Sequence, residues 1–130
     1  MDNYLSTTSR GGSLSDIIKY SSDIKTISMT GGTGKSIEAY TIQEDGFILA
    51  TCSFFTANQT ATSQMESGLS KNGQIFAWDQ EVTPSTGTYR MTSAAGMINV
   101  VKGDIIRMYC FTTVTGTYTY NCGYMFYPNN

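Results

Sequence analysis

Near its C-terminus the chain reads Tyr118-Thr119-Tyr120-Asn121-Cys122-Gly123-Tyr124-Met125-Phe126-Tyr127, a run rich in the aromatic residues that favour strands. Successive side chains on a strand point to opposite faces. One face therefore carries Tyr118, Tyr120, Cys122, Tyr124 and Phe126, while the other begins polar at Thr119 and Asn121 and ends on Met125 and Tyr127. An antiparallel strand in a lone sandwich is apolar on one face and polar on the other. The run Met97-Ile98-Asn99-Val100-Val101 has the same two-faced character. With few helical residues elsewhere to lie over the second face, another subunit is the natural cover. The larger, more continuous aromatic face is expected to fill the sandwich, which leaves Met125 and Tyr127, with Met97 beside them, as candidates for the contact between subunits, the axis of an oligomer.

Outward from this run, short apolar stretches alternate with turn signals every 8–12 residues or so, the pattern of an all-β sandwich or barrel. Strands are expected at roughly 26–30, 37–43, 46–55, 64–70, 74–80, 88–93, 96–101, 104–113 and 118–127. Asp45-Gly46, Asn72-Gly73 and Lys102-Gly103-Asp104 punctuate them with tight-turn chemistry, Asn72-Gly73 being the strongest hairpin signal. The head domain is thus expected over 26–130, behind an N-terminal arm or attachment segment at 1–25. Within that arm Leu14, Ile17, Ile18 and Ile24 fit a short amphipathic helix, with Ser13 and Asp16 as capping signals, and fit a strand equally well.

Composition agrees with a β fold and narrows the partners. The 130 residues suit one domain with a real core. Charged residues make up only 14% and the net charge is −2, with lysines and arginines scattered singly. A nucleic-acid binder shows a clustered basic face, which is not visible here. No apolar run reaches the ~20 residues that a membrane-spanning helix needs. The start, Met1-Asp2-Asn3-Tyr4-Leu5-Ser6, lacks the basic and apolar regions of a secretory signal. Cys52, Cys110 and Cys122 sit inside apolar strand-like runs without metal-ligand spacing, and are expected buried and reduced.

Four segments, taken in order, resemble the globular heads of the complement C-one-q and TNF-like type. Asp45-Gly46-Phe47-Ile48-Leu49-Ala50 is similar to that pattern's glycine, aromatic and apolar strand. Leu69-Ser70-Lys71-Asn72-Gly73 is similar to its hairpin, and Val100-Val101-Lys102-Gly103-Asp104-Ile105-Ile106 to its strand, Gly-Asp turn and strand. Gly123-Tyr124-Met125-Phe126-Tyr127-Pro128 resembles its closing strand. The resemblance implies an antiparallel two-sheet jelly roll of ten strands, trimeric about a three-fold axis, with the last strand in the inner sheet. It also implies a ligand-binding head rather than an enzyme. A collagen stem is missing from the sequence, so the expectation is a phage or bacterial member.

The chemical motifs are weak. Gly31-Gly32-Thr33-Gly34-Lys35-Ser36 imitates a phosphate-binding loop, but the first glycine is replaced by Met29, and strand rather than helix is expected to follow. The chain contains no histidine, which removes the commonest general base and metal ligand. Asp79 and Glu81 could share a strand face and bind Ca²⁺ or act on a glycoside, or be solvated charges at a strand end. Asn58-Gln59-Thr60 reads as a polar loop, and Arg90 and Arg107 as surface charges. Trp78 and Phe76 are expected together in the core rather than as a sugar-stacking platform. Tyr89 and Tyr118, near Thr- and Gly-rich loops, are candidates to face a ligand.

The sequence therefore predicts a non-enzymatic, homotrimeric binding or structural head, without cofactor or metal. Its expected setting is a phage or viral fibre or spike, assembled in the host cytoplasm and attached to other virion proteins through residues 1–25. A host-cell receptor or surface glycan would be its ligand. A bacterial surface or spore-coat protein and a small jelly-roll carbohydrate-active enzyme are the alternatives.

Overall fold

A computed structural model describes residues 17–57, 63–83 and 90–129. Nine strands run through them: β1 Ile18–Ser21, β2 Lys25–Met29, β3 Thr33–Thr41, β4 Gly46–Thr56, β5 Ser63–Lys71, β6 Gln74–Thr83, β7 Arg90–Val100, β8 Ile105–Thr112 and β9 Gly116–Pro128. They form two antiparallel sheets. Sheet A has the order β1-β9-β4-β7, with β2 also pairing to β9, and sheet B has the order β3-β8-β5-β6. This is the two-sheet jelly roll expected from the sequence, with the last strand inside its sheet rather than at its edge. The described residues contain no helix long and apolar enough to cross a membrane.

Two boundaries differ from expectation. The stretches read as separate strands at 88–93 and 96–101 are one strand, β7, which pairs with β4 without interruption from Arg90↔Thr56 to Val100↔Gly46. Ala94 and Ala95 looked like a break, yet they pair with Cys52 and Thr51 in the middle of the sheet. Ile18–Ser21, inside the stretch assigned to an arm readable as a short helix, is strand β1 and belongs to the head. Tertiary pairing overrides a short segment's weak helical tendency: Tyr20 lies opposite Tyr124 and stacks on it at 5.4 Å. The rest of the arm, residues 1–16, lies outside the described residues.

The core fills the space between the inner faces. Ile48, Ala50, Cys52 and Phe54 of β4, with Tyr118, Tyr120, Cys122, Tyr124 and Phe126 of β9, meet Met65 and Leu69 of β5 and Ile106, Met108 and Cys110 of β8. All three cysteines are free thiols buried in this core. Burial lifts their pKa values, Cys52 to about 11 and Cys110 to about 12, so they are protonated at neutral pH.

The turns do what their residues dictate. Asn72 and Gly73 both take positive φ, 53° and 87°, as a two-residue hairpin of this type requires. Asn72 also ties two turns together: its amide donates to Asp104 Oδ1 at 2.8 Å and accepts from the Ile105 amide at 2.9 Å. Gly31-Gly32 turns β2 into β3, and Lys35 and Ser36 pair with Cys110 and Tyr109 of β8. The phosphate-loop imitation is a strand, not the entrance to a helix.

Gly46 opens β4 where the chain passes closest to β9, and a Cβ there would stand 2.2 Å from the Tyr127 carbonyl oxygen and 2.9 Å from the Phe126 ring. Neither backbone can retreat without loosening the central pair of sheet A. Gly46→Ala should therefore lower stability by roughly 1–3 kcal/mol, the range for overpacking. Chemical denaturation followed by circular dichroism measures it; an unchanged midpoint would mean that β4 and β9 separate there at little cost.

Candidate functional site

The alternation in β9 sorts its side chains as expected: Tyr118, Tyr120, Cys122, Tyr124 and Phe126 are buried, while Asn121, Gly123, Met125 and Tyr127 lie on the outward face and stay partly exposed. The register then assembles a surface from three strands. Leu49 of β4 is flanked by Met97 of β7 on one side and Met125 of β9 on the other. In the next row Phe47 lies opposite Tyr127, and their rings stack at 4.7 Å and 5°. Met97, Met125 and Tyr127 are thus brought together on one continuous apolar face, and Met97 is 64% exposed. Phe47 and Leu49 complete it. Their signal was available in Phe47-Ile48-Leu49-Ala50, which is apolar on both faces like β9 and lies at the sheet centre.

The face changes character along the strands. Beyond the methionines comes a row of Ala95, Thr51 and Gly123, then one of Ser93, Ser53 and Asn121. Because Gly123 has no side chain, a hollow of about 340 Å³ opens between β1, β4 and β9, bordered by Lys19, Leu49, Thr51 and Met125. The apolar end therefore has knobs and the middle has a recess.

The other candidates fare differently. Tyr118 does not face a ligand: it is 2% exposed, stacks on Phe54 at 5.0 Å, and donates its hydroxyl to the Val114 carbonyl at 2.7 Å. Its even position in β9 puts it inside with Tyr120 and Cys122. Tyr89 lies outside the described residues, as do Asn58, Gln59 and Thr60. Arg90 is not a surface charge, being 2% exposed with Nη1 donating to Ser63 Oγ at 2.6 Å. Asp79 accepts the Ser93 amide at 3.0 Å, so one oxygen of the Asp79–Glu81 pair is committed to joining β6 to β7. The described residues hold no cluster of three or more potential metal ligands. Trp78 and Phe76 do not share the core: a register shift between Leu69 and Ser70 turns them to opposite sides, and Trp78 is 52% exposed.

A buried carboxylate escaped the sequence reading. Glu38 occupies an irregularity in β3, between Ile37 and Tyr40, with φ of 55°. Its side chain is 8% exposed and faces strands of the other sheet. Tyr20 of β1 donates to Oε1, while Tyr120 of β9 at 2.5 Å and Lys25 of β2 at 3.1 Å reach Oε2. Tyr124 donates to the Glu38 carbonyl at 2.9 Å. One residue of sheet B thereby anchors three strands of sheet A. Burial alone would raise the Glu38 pKa, but the hydrogen bonds from Tyr120, Tyr20 and Lys25 outweigh it and hold the carboxyl below its ordinary value. The same contact with Glu38 helps push Tyr20 up to about 12.

No protein-family model and no curated protein sequence matches the chain. Solved structures do match in shape. The Eiger TNF of S. frugiperda superposes with a TM-score of 0.58 at 8% identity, covering 88% of this chain and 94% of that one. The globular domain of zebrafish complement 1qA gives 0.57 at 9% identity, covering 82% and 94%. Murine APRIL at pH 5.0 gives 0.54 at 13% identity, covering 80% and 99%. The fold is a TNF-like and complement-type jelly roll.

Glu38 sets a pH dependence. A carboxyl whose pKa is lowered by folding contributes stability that is fully present above its unfolded value and lost as pH falls through the folded one. Glu38→Gln should cost roughly 2 kcal/mol at neutral pH, in the range for hydrogen bonds to a charged group. The gap to wild type should then close as pH drops below 4.5, the ordinary value. Urea titrations of both proteins across that range test it; a gap independent of pH would assign the loss to shape rather than charge.

Proposed function

We propose that this chain is a non-enzymatic binding head that assembles as a homotrimer, with the outward face of sheet A packed around the three-fold axis. One observation carries the reading: Phe47, Leu49, Met97, Met125 and Tyr127 form a continuous apolar surface in the middle of a sheet. Contiguous apolar surface of this kind marks an interaction site. Burying each such side chain contributes about 1.5–3 kcal/mol, and a symmetric axis repeats every contribution in each subunit. The occupant we assign is a second and third copy of the chain. The likeness to TNF-like and complement-type heads supports that choice, as does the mix of knobs and recess that lets equivalent surfaces interdigitate.

Two features support a binding rather than a catalytic role. The chain has no histidine to act as base, and burial keeps its thiols protonated, so none is an activated nucleophile. A phage or viral fibre or spike head that attaches to a cell surface is the setting we propose. Three identical heads on one axis turn weak single-site contacts into firm attachment through effective concentration.

Light scattering of purified protein at micromolar concentration tests the axis. Wild type should be a trimer, and Met125→Asp or Leu49→Asp should give monomer or aggregate. Thr33→Asp, at an exposed position on the edge strand of sheet B, should leave the trimer intact. A monomeric wild type, or a fully trimeric Met125→Asp, would remove the axis from this face.

A further inference from the structure

Sheet B has its own exposed aromatic surface, on the side away from the core. Trp78 lies on β6 opposite Gly68 of β5, which lies opposite Tyr109 of β8. Gly68 presents no side chain between them, so the Trp78 and Tyr109 backbones stand two strand spacings apart, about 9.5 Å, with the Tyr109 ring lying over Gly34 of β3. The indole is held rather than loose: its Nε1–H donates to Glu66 Oε1 at 3.1 Å. Gln64 donates to Glu66 Oε2 at 2.5 Å, and Gln80 reaches the same oxygen at 3.5 Å. An exposed aromatic plane is thus fixed by a carboxylate and bordered by amide groups that still have carbonyl oxygens to offer.

We propose that this surface binds an uncharged oligosaccharide built of pyranoses with equatorial hydroxyls, one ring stacked on Trp78 and the chain running across Gly68 towards Tyr109. Such a sugar has a flat C–H face that matches an indole and a rim of hydroxyls that match Glu66, Gln64 and Gln80. Anionic sugars are disfavoured, because Glu66 lies at the centre of the surface with no cation among its hydrogen-bond donors. Addition of a protein strand is a poorer fit. β6 is the edge of sheet B, but Asp79 points inward from it to take the Ser93 amide, drawing the edge towards β7, and inward charges of this kind blunt an edge against pairing. The site does not depend on the trimer axis, which uses the opposite sheet.

Trp78 is the single tryptophan of the chain, so its emission reports directly on this surface. Cellotetraose, laminaritetraose and chitotetraose are titrated to roughly 10 mM, enough to detect the millimolar affinity of a small open site. The expected result is a saturable change with at least one of them. Calorimetry with Trp78→Ala should then show at least about a tenfold loss of affinity at unchanged circular dichroism, with Trp78→Phe retaining part of it. Thr33→Asp should bind like wild type, and so should Met125→Asp whether or not it remains trimeric, provided it is folded and soluble. No saturable change with any of the three sugars would overturn the proposal. So would undiminished binding by Trp78→Ala, or loss of self-association rather than of sugar binding in that variant.

Discussion

Alternation along β9 is the constraint from which the rest of the structure follows. A strand in the middle of sheet A cannot hide both of its faces in one sandwich, because its side chains point up and down in turn. The inner set, Tyr118 to Phe126 at even positions, fills the core against sheet B. The outer set then meets whatever lies beyond the sheet, and at Met125 and Tyr127 it is apolar. β4 obeys the same rule beside it, with Ile48, Ala50, Cys52 and Phe54 inside and Phe47 and Leu49 outside. Register does the remainder. Since β4 pairs with both β9 and β7, three strands bring their outward apolar residues into the same rows.

The two sheets are joined by more than apolar packing. Glu38 departs from regular strand geometry, and the departure carries its carboxylate to Tyr20, Tyr120 and Lys25. A buried carboxylate is tolerable only when its oxygens are satisfied, and here they accept from two phenols and an ammonium. Among the described strands β1 and β2 pair with β9 alone, and Glu38 adds a tie across the sandwich. Asn72 and Asp104 join the neighbouring β5–β6 and β7–β8 turns in the same manner. There the Val101 amide and then Asn72 hold the Asp104 carboxyl below its ordinary range.

The legible parts of this molecule are those governed by period and by turn chemistry. Alternation in β9 separated core from outer face residue by residue, and Asn72-Gly73 marked its hairpin because positive φ at both positions leaves few choices. What was not legible depended on partners distant in sequence. Ile18–Ser21 is a strand because β9 offers it an edge, a fact absent from the four residues themselves. Trp78 parted from Phe76 because a register shift in the β5–β6 pair reverses the facing, and one sequence does not announce an irregularity. Arg90 went inside because Ser63, far along the chain, meets it there. Tyr118 was assigned by its nearness to a loop, when its even position in β9 already placed it in the core.

The position of β9 has a further consequence for how the molecule comes into being. It is the last of the described strands, yet it lies between β1 and β4 in the sheet and pairs with β2 as well. During synthesis the ribosome releases β4 and β7 early, and they wait with one edge of β4 open until residues 116–128 emerge. Sheet A cannot close until β9 has emerged, and its longest pairings, such as Ile18 with Phe126, join residues far apart in sequence, which makes closure slow. An open edge on a half-built sheet is a hazard for aggregation. The nascent protein is thus most vulnerable in the interval between the appearance of β4 and the arrival of its C-terminal neighbour, and a chaperone acting on it would be shielding that one edge.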